Sequence, residues 1–445
     1  MNKTSIVVLT YNQLSYTKLC LESVRRYTNV PYELIVVDNG STDGTVEWLK
    51  TRDDILLKLN DKNAGFAGGC NMGIAMANPG NDILLLNNDT YVTENYLFNL
   101  QTALHSAADV GAVAPLGALP DERPFEYQEI SKLHEQAKRY NVSNPLKWER
   151  VLKLIGFCLL IKRSALEKTG CLDERFWPGN AEDDDYCIRL VLNNYKLFLC
   201  RDTYIHHYVH VSFVGQVSES EGQNLGRFFD KWGFLPSYSF FARGRIAELI
   251  SRHPKAALNI LDIGCSCGES LLKITDKYPN AKLYGAELNE NAAKIAALFA
   301  SVTVCDIELV YPYPDNFFDC IMLGDVCQQL RDPWALLSKI RKSLKPGGIV
   351  LASIPNVAHI SVLADLINGY WVQDIMNLRF FTGHSIAVMF GKAGFVDIEM
   401  SRLLRPLADR EQELLDKICT IAEEDLRGNF IAAQYIIKAK KSFEK

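Results

Sequence analysis

The chain lacks any apolar run long enough to cross a lipid bilayer. Its apolar runs, such as residues 83–86 and 159–161, fall far short of the roughly 20 residues that a membrane-spanning helix needs. The opening residues lead directly into a strand pattern, so no signal peptide is predicted. We therefore expect a cytoplasmic protein without a transmembrane segment, and peripheral association with the inner face of the membrane stays open.

The chain also lacks an excess of positive charge. Residues 1–240 carry 24 Lys and Arg against 29 Asp and Glu, residues 241–445 carry 24 against 24, and the net charge is −5. A domain that binds nucleic acid needs a basic surface to neutralise phosphates. Nucleic acid is therefore excluded as an expected partner.

The 12 cysteines lack the paired spacing of a secreted, disulfide-bonded scaffold. Most of them stand inside apolar runs, which is typical of reduced thiols in a cytosol. The remaining composition is that of a globular protein, with 48% hydrophobic and 23% charged residues and a mean hydropathy of −0.04. At 445 residues the chain exceeds the size of one ordinary hydrophobic core, so two domains are predicted.

The first half alternates strand and helix patterns. Residues 5–10 and 32–37 are continuous apolar runs of the kind found in buried parallel strands, with a helical pattern between them. This alternation predicts a doubly wound α/β sheet, in which ligands bind beyond the carboxyl ends of the strands. Asn12 and Asp38 follow these two ends, and we expect them at one edge of the sheet.

Two further segments favour a nucleotide site at that edge. Residues 63–73 form a glycine-dense loop that opens a helix, and glycines let a backbone approach a phosphate or nucleoside closely. The apolar run 83–86 then leads to Asn88 and Asp89. A carboxylate at the end of a central strand suits a divalent ion that bridges two phosphates.

Residues 182–185 are four acidic side chains in succession. The ordinary explanation is a helix start, where carboxylates cap free amides and are favoured by the helix dipole. Because four like charges repel one another, the alternatives are a general base and a site for a metal-bound diphosphate.

Four segments, residues 7–12 (Val-Val-Leu-Thr-Tyr-Asn), 36–45 (Val-Val-Asp-Asn-Gly-Ser-Thr-Asp-Gly-Thr), 63–69 (Asn-Ala-Gly-Phe-Ala-Gly-Gly) and 86–90 (Leu-Asn-Asn-Asp-Thr), resemble the family 2 glycosyltransferases. The similarity is to the rhamnosyltransferase-like members that build surface polysaccharides, and it covers residues 3–235. It implies a GT-A fold, a nucleotide-sugar donor, a divalent Mg or Mn ion and inversion at the anomeric carbon. The implied donor-binding residues are Thr10, Asn12, Asp38, Asn63, Gly65 and Asn88.

The acidic stretch matches the Glu-Asp-x-Asp…Arg pattern of this family through Glu182, Asp183, Asp185 and Arg189. The resemblance implies that Asp183 is the general base that takes the proton from the acceptor hydroxyl. It makes Glu182, Asp185 and Arg189 residues that orient the base or bind the acceptor. Asp184 is expected to face the solvent.

The resemblance also implies metal ligands. Residues 87–89 replace the Asp-x-Asp of the family but begin with Asn, so Asp89 is the lone metal carboxylate expected there. The family places a histidine near the metal or the diphosphate, and His206 or His207 would be that residue. The spacing leaves the choice between them open, and His210 is expected to be a bystander.

The second half contains another glycine turn. Residues 259–268 have the pattern of a strand that turns through glycines into a helix, and residues 281–287 that of a second strand, ending in an acid that can hold ribose hydroxyls. With residues 304–306, 318–325 and 344–348 in order, the half resembles class I S-adenosylmethionine-dependent methyltransferases over residues 243–441. The resemblance implies a Rossmann-like fold and a cofactor site made of Asp262, Gly264, Cys265, Gly268, Glu287, Asp306 and Asp325.

Gln328 and Gln329 stand where many relatives in that family have Glu-His. Glutamine forms hydrogen bonds but cannot take up a proton. Either a base comes from elsewhere, with His359 and His384 as candidates, or the target is an amine, or the domain binds the cofactor without transferring a methyl group. For both histidines an ordinary loop or core role is the commoner expectation.

The chain is thus predicted to contain a glycosyltransferase domain (1–235), a linker and leading helix (236–256) and a methyltransferase domain (257–441). The predicted protein is bifunctional: it transfers a hexosyl or deoxyhexosyl group to a glycan, lipid-linked glycan or glycoprotein acceptor in polysaccharide biosynthesis, and it methylates the glycan. The alternative is a glycosyltransferase whose second domain is an inactive scaffold that binds S-adenosylmethionine.

Overall fold

A computed structural model of the protein describes residues 3–119, 122–127, 129–208, 217–239, 244–370, 377–421 and 427–443. The chain divides into two compact units, Met1–Phe240 and Phe241–Lys445. The finer boundaries at residues 235/236 and 256/257 stay predictions. All 12 cysteines lie in the described residues and are free thiols.

In the first unit, strands and helices alternate as the apolar runs predict. The strands are β1 Thr4–Thr10, β2 Tyr32–Asp38, β3 Leu56–Leu59, β4 Asp82–Asn87, β5 Thr90–Tyr91, β6 Val110–Leu116, β7 Trp148–Val151, β8 Cys158–Ile161, β9 Lys196–Tyr204 and β10 His206–His207. The helices are α1 Leu14–Tyr27, α2 Thr45–Leu49, α3 Gly65–Met76, α4 Tyr96–Leu104, α5 Ile130–Tyr140, α6 Arg163–Thr169, α7 Glu182–Leu192, α8 Val217–Trp232 and α9 Pro236–Ser239.

The main sheet of this unit has the order β3-β2-β1-β4-β8-β6-β9-β7, and β5 pairs with β10 in a small second sheet. Strand β1 is parallel to both β2 and β4, and its residues Ile6, Val7 and Val8 are fully buried. Burial of both faces explains why the strand is a continuous apolar run rather than an alternating one. The strand order reverses at β1 and β4, where such sheets bind ligands.

The glycine-dense segment differs from its expected form. It is helical from Gly65 onward, and its glycines serve mainly to bring α3 close to β1. A Cβ added to Gly69 would lie 2.3 Å from Leu9 Cδ1, and one added to Gly73 would lie 2.3 Å from Val7 Cγ1. Side chains at these two positions would force the helix away from the sheet.

The second unit is a seven-stranded sheet flanked by helices. Its strands are β11 Asn259–Ile263, β12 Lys282–Glu287, β13 Ser301–Val304, β14 Phe318–Gly324, β15 Leu344–Pro355, β16 Phe395–Leu404 and β17 Ala432–Lys441. Its helices are α10 Gly244–Glu248, α11 Glu269–Lys277, α12 Glu290–Ala296, α13 Pro333–Ser343, α14 Ile360–Ile367, α15 Gly383–Lys392, α16 Asp409–Cys419 and α17 Arg427–Phe430.

The order of this sheet is β13-β12-β11-β14-β15-β17-β16. Strands β11 to β15 pair in parallel, while β17 is antiparallel to both β15 and β16. Strands β16 and β17 form a terminal hairpin, and α16 and α17 lie between them along the chain. The predicted two-domain α/β fold class is confirmed. Among the described residues, no helix combines the length and apolar character needed to cross a membrane.

Candidate active sites

The carboxyl ends of β1 and β2 bring Asn12 and Asp38 together through one serine. Asp38 accepts hydrogen bonds from the backbone N–H groups of Gly40 (3.0 Å) and Ser41 (2.9 Å) and from Ser41 Oγ (2.5 Å). Ser41 Oγ accepts in turn from the backbone N–H of Asn12 at 2.7 Å. Asp38 is 1% exposed. In this structure its carboxylate stabilises the turn at the edge of the site.

A network of asparagines holds the start of α3 beside that turn. Asn39 Nδ2 donates to the carbonyl of Gly65 at 3.0 Å, and Asn60 Nδ2 donates to Asn39 Oδ1 at 2.9 Å. Asn63 Oδ1 accepts from the backbone N–H of Gly65 at 2.8 Å. Asn39 and Asn60 are site residues that the sequence analysis missed, although Asn39 directly follows Asp38 in a recognised motif.

These residues border a cleft next to the ends of β1 and β4. It is lined by Leu9, Tyr11, Asn39, Asn63, Gly65, Phe66, Asn87, Asn88 and Pro178. Of the six predicted donor-binding residues, Asn63, Gly65 and Asn88 therefore line one cleft. Thr10 does not, because its buried hydroxyl bonds to Thr17 Oγ1 at 2.9 Å.

Asp89 and His207 lie side by side where a metal ion is expected. Pairing of β10 with β5 sets His207 opposite Thr90 and brings its Nε2 to 3.2 Å from Asp89 Oδ1. Asp89 Oδ1 is buried and has no hydrogen-bond partner, and His207 Nδ1 has none either. Carboxylate oxygens suit Mg and Mn, which fill their remaining positions with waters and substrate phosphates. The donor set thus fits a divalent ion.

His206 faces the other way. Its Nδ1 forms a short hydrogen bond with Tyr127 OH, and burial, with help from Arg123, lowers the pKa of His206 to about 4. Within the described residues, no group of three or more His, Cys, Asp and Glu side chains is placed to hold a metal ion. His210 lies outside the described residues.

Only one carboxylate of the acidic stretch is accessible. Asp183 is partly exposed, whereas Glu182 and Asp184 are each 5% exposed and Asp185 is fully buried. Asp183 accepts from the backbone N–H of Gly156 (3.0 Å) and of Asp184 (2.9 Å). These two bonds fix its orientation and leave lone pairs on both oxygens.

Gly156 connects Asp183 to the rest of the site. A Cβ added to Gly156 would lie 3.5 Å from Asp183 Cβ and 3.6 Å from Phe66 Cε1, and Phe66 lines the cleft. The next residue, Phe157, stacks on His207 with ring centroids 5.0 Å apart. Gly156 and Phe157 therefore link Asp183 to Phe66 of the cleft and to the Asp89–His207 pair.

The expectation that Asp184 faces the solvent is wrong. Asp184 is buried and pairs with Lys153 Nζ at 2.7 Å. Burial, reinforced by the neighbouring Asp183, raises the pKa of Asp184 to about 6. Burial and Asp183 likewise raise the pKa of Glu182 well above its usual range. The Lys153 ion pair and the two raised pKa values make the repulsion within the stretch smaller than four free carboxylates would produce.

Asp185 and Arg189 form a buried ion pair. Arg189 Nε donates to Asp185 Oδ2 at 2.8 Å, while Trp232 Nε1 (3.0 Å) and Lys231 Nζ (2.5 Å) reach Asp185 Oδ1 from α8. With 0% exposure, Asp185 has no surface for an acceptor. Its position supports the orienting part of its predicted role, since it fixes α7, which carries Asp183.

A cavity of about 340 Å³ opens beside His207, lined by Gly117, Leu119, Arg123, Tyr204, His206, His207 and Tyr208. Arg123 supplies its positive charge and lies over the Tyr127 ring at 5.2 Å. Arg123 stands between two prolines with no motif around it, so no signal pointed to it.

In the second unit the glycine turn joins β11 to α11. Gly264 and Gly268 have φ angles of +70° and +83°, which side chains disfavour. Glu287 at the end of β12 accepts from the backbone N–H groups of Ser266 (2.8 Å), Leu288 (2.9 Å) and Asn289 (2.8 Å). A partly exposed carboxylate beside a glycine turn fits the ribose of a nucleoside cofactor.

The other predicted cofactor residues differ in their exposure to solvent. Asp306 and Asp325 are partly exposed at the ends of β13 and β14, and Gly264 lies with them at the same edge of the sheet. Asp262 and Cys265 are 3% and 4% exposed, so they shape the turn from inside. Burial raises the pKa of Cys265 well above its usual range, which makes it an inert thiol.

Gln328 and Gln329 both hold the backbone of Asp325. Their Nε2 groups donate to the Asp325 carbonyl at 2.8 and 2.9 Å. His359 caps α14, with Nδ1 2.8 Å from Ser361 Oγ, and His384 is exposed on α15. The ordinary explanation thus fits His359, and neither histidine lines the pocket next to Gln328.

Comparison with known proteins identifies both halves. The glycosyl transferase family 2 model matches residues 5–170, and a methyltransferase domain model matches residues 238–400. Glycosyltransferase GlyA of Streptococcus pneumoniae is 24% identical over 46% of this chain and 29% of its own length. Phosphoethanolamine N-methyltransferase 2 of Caenorhabditis elegans is 28% identical over 43% of this chain and 46% of its own length.

The chain thus spans less than half the length of these two relatives. Among solved structures, a SAM-dependent methyltransferase from Archaeoglobus fulgidus aligns with 21% identity and a TM-score of 0.34, over 48% of this chain and 99% of its own. Because the two family matches fall on the two structural units, the chain is a transferase that joins a family 2 glycosyltransferase domain to a methyltransferase domain.

Proposed function

We propose that the first unit transfers a sugar, with inversion and with the help of a divalent ion, from a nucleotide-sugar to a glycan, lipid-linked glycan or glycoprotein acceptor. The observation that carries this proposal is the position of Asp183. It is the accessible member of an otherwise buried acidic stretch, and Gly156 and Phe157 connect it to the Asp89–His207 pair.

In this proposal Asp183 takes the proton from the acceptor hydroxyl as that oxygen attacks the anomeric carbon. Asp89 and His207 would hold the divalent ion, whose positive charge would favour departure of the diphosphate. Asn63, Gly65 and Asn88 border the donor cleft. Asp185 and Arg189 keep α7 in place, because Asp185 forms ion pairs with Arg189 on the same helix and with Lys231 on α8.

For the second unit we propose S-adenosylmethionine-dependent methylation of the glycan. Glu287 would hold the ribose, and Asp306 would lie by the adenine. Gly264 would let the protein backbone approach the cofactor closely. The cofactor supplies an electrophilic methyl group when bound. Tethering two transferases raises the effective concentration of the first product at the second site, which favours action on one glycan in polysaccharide biosynthesis.

The test of the first activity is a screen of nucleotide-sugars for donor hydrolysis by the intact protein, with Mg or Mn and with chelator. We expect turnover of one donor and its loss on chelation. Donor hydrolysis that is unaffected by chelator would contradict the metal role of Asp89 and His207.

The test of the second activity is calorimetry with S-adenosylmethionine, followed by methyl transfer to the glycan that the first unit makes. Cofactor binding with no transfer to any offered glycan would favour the alternative, a cofactor-bound scaffold. An absence of cofactor binding would contradict both proposals for this unit.

A further inference from the structure

A pocket of about 200 Å³ lies beyond the carboxyl ends of β14 and β15. Gln328, Pro355 and the aromatic residues Tyr370, Phe380 and Phe381 are among its lining residues. Gln328 also contacts Asp325, which belongs to the proposed cofactor edge. The pocket therefore adjoins that edge and has the position of a methyl-acceptor site.

Gln328, which lines this pocket, has an unsatisfied side-chain acceptor. Its Nε2 donates to the Asp325 carbonyl at 2.8 Å, and this bond fixes which end of the amide is oxygen, because a carbonyl can only accept. The opposite end, Oε1, is buried and has no hydrogen-bond partner, and the residue is 5% exposed. A buried acceptor of this kind calls for a donor from a ligand.

The chemistry of Gln328 distinguishes between classes of acceptor. A carbonyl oxygen can hold a proton in a hydrogen bond but cannot remove it. A hydroxyl group has one proton, which it must lose when its oxygen is methylated. A neutral amine can donate one N–H to Gln328 and still attack with its own lone pair.

Two charged groups line the pocket as well. Arg379 is cationic, and its Nε donates to the Arg331 carbonyl at 3.2 Å. Asp365 is an exposed carboxylate on α14, whereas the buried polar group beside Asp325 is Gln328, which cannot act as a base. Aromatic rings are favourable neighbours for the cation that forms when an amine is methylated.

We propose that this pocket takes a neutral amine, such as the amino group of an amino sugar, whose N–H donates to Gln328 Oε1. The nitrogen lone pair forms the N–CH₃ bond while the bond from that carbon to the donor sulfonium sulfur breaks. The sulfur keeps the electron pair and becomes a thioether, and the new ammonium then releases one proton to solvent. The inference rests on the proposed function, since it presupposes cofactor binding by this unit.

The experiment measures methyl transfer by the intact protein from isotope-labelled S-adenosylmethionine at pH 8.5, with the products identified by mass spectrometry. D-glucosamine and D-galactosamine are compared with D-glucose and D-galactose, which differ by one amino or hydroxyl group. We expect the amines to be methylated at least about tenfold faster, because a hydroxyl must lose its proton to a base and a neutral amine need not. Gln328→Met should remove this preference. Gln329→Met loses an equivalent bond to the Asp325 carbonyl but does not line the pocket, so it should keep the preference.

Calorimetry with S-adenosylhomocysteine on each variant separates the possible failures. If the cofactor product does not bind to the wild-type protein, the proposed function of this unit fails. If it binds but the amines are methylated no faster than the hydroxyl sugars, or not at all, the amine proposal is overturned. A preference that survives in Gln328→Met, or an O-methylated product detected by mass spectrometry with isotope-labelled cofactor, overturns it as well.

Discussion

Residues 182–185 and residues 325–329 stand at the two proposed sites of transfer, and they treat protons in opposite ways. The first segment gathers four carboxylates, buries three and exposes Asp183. The second has one acid, Asp325, whose Oδ1 accepts from Ser353 Oγ at 2.9 Å, followed by two amides that cannot titrate. In the two proposals, Asp183 deprotonates a hydroxyl at the first site, whereas an amine acceptor at the second site needs no base.

The largest expected effect comes from Asp183→Asn. Asparagine can still accept hydrogen bonds from Gly156 and Asp184, but it cannot take up a proton. Sugar transfer should fall at least about 10²-fold, while nucleotide affinity measured by calorimetry stays near that of wild type. If transfer persists at a comparable rate, Asp183 is not the base and the contrast between the two segments disappears.

Asp185→Asn should give the largest loss of stability. It leaves Arg189 and Lys231 without their buried anion, which costs about 3–5 kcal/mol of unfolding free energy, measured by chemical denaturation. Asp173→Asn is the matched control, because Asp173 also pairs with Lys231, at 2.7 Å, but with both side chains about one-fifth exposed. Its loss should be on the order of 1 kcal/mol. Equal losses would show that burial of Asp185 adds nothing.

Asp184→Asn tests the charge state of the acidic stretch. Between its ordinary value of 3.8 and the raised pKa of about 6, native Asp184 binds more proton than the unfolded chain does. The unfolding free energy of wild type relative to Asp184→Asn should therefore fall as pH rises from 4 to 6, by at most about 1.4 kcal/mol per pH unit. Urea denaturation at pH 4, 5 and 6 measures it. A difference that rises or stays constant would mean that Asp184 is charged in the native protein.

The smallest expected effect comes from Asp325→Asn, which examines the second segment. Asparagine can still accept from Ser353, so methyl transfer should stay within about twofold, and its pH profile should keep its shape. Asp325→Ala removes that acceptor and should lower transfer by about tenfold. If Asp325→Asn abolishes an ionisation in the pH profile, Asp325 is a base and the two segments are alike.

The continuous apolar runs predict the strand pattern and the fold class because burial on both faces leaves a local signature. Residues 5–10 and 32–37 match β1 and β2 to within one residue. The ordered motifs also indicate both families and predict that Asn12, Asp38 and Asp89 lie at one edge of the sheet.

What the sequence could not predict depends on distant partners. Successive strand residues face opposite sides, so only the pairing of β10 with β5 shows that His207, rather than His206, faces Asp89. Burial of Asp184 depends on Lys153, which approaches from outside the helix. Similarly, a glycine that admits a phosphate and a glycine that admits a strand look the same in sequence, and Gly69 and Gly73 are of the second kind.

The salt bridge from α8 to Asp185 sets a lower limit on the length of a separable sugar-transferring fragment. The family 2 match ends at residue 170, before the acidic stretch, and Lys231 and Trp232 reach Asp185 only from the last turn of α8. A fragment cut at residue 170 would lose Asp183, and one cut at residue 230 would keep Asp183 on a helix with a poorly compensated buried charge. A truncation that separates the two activities should therefore fall after Trp232.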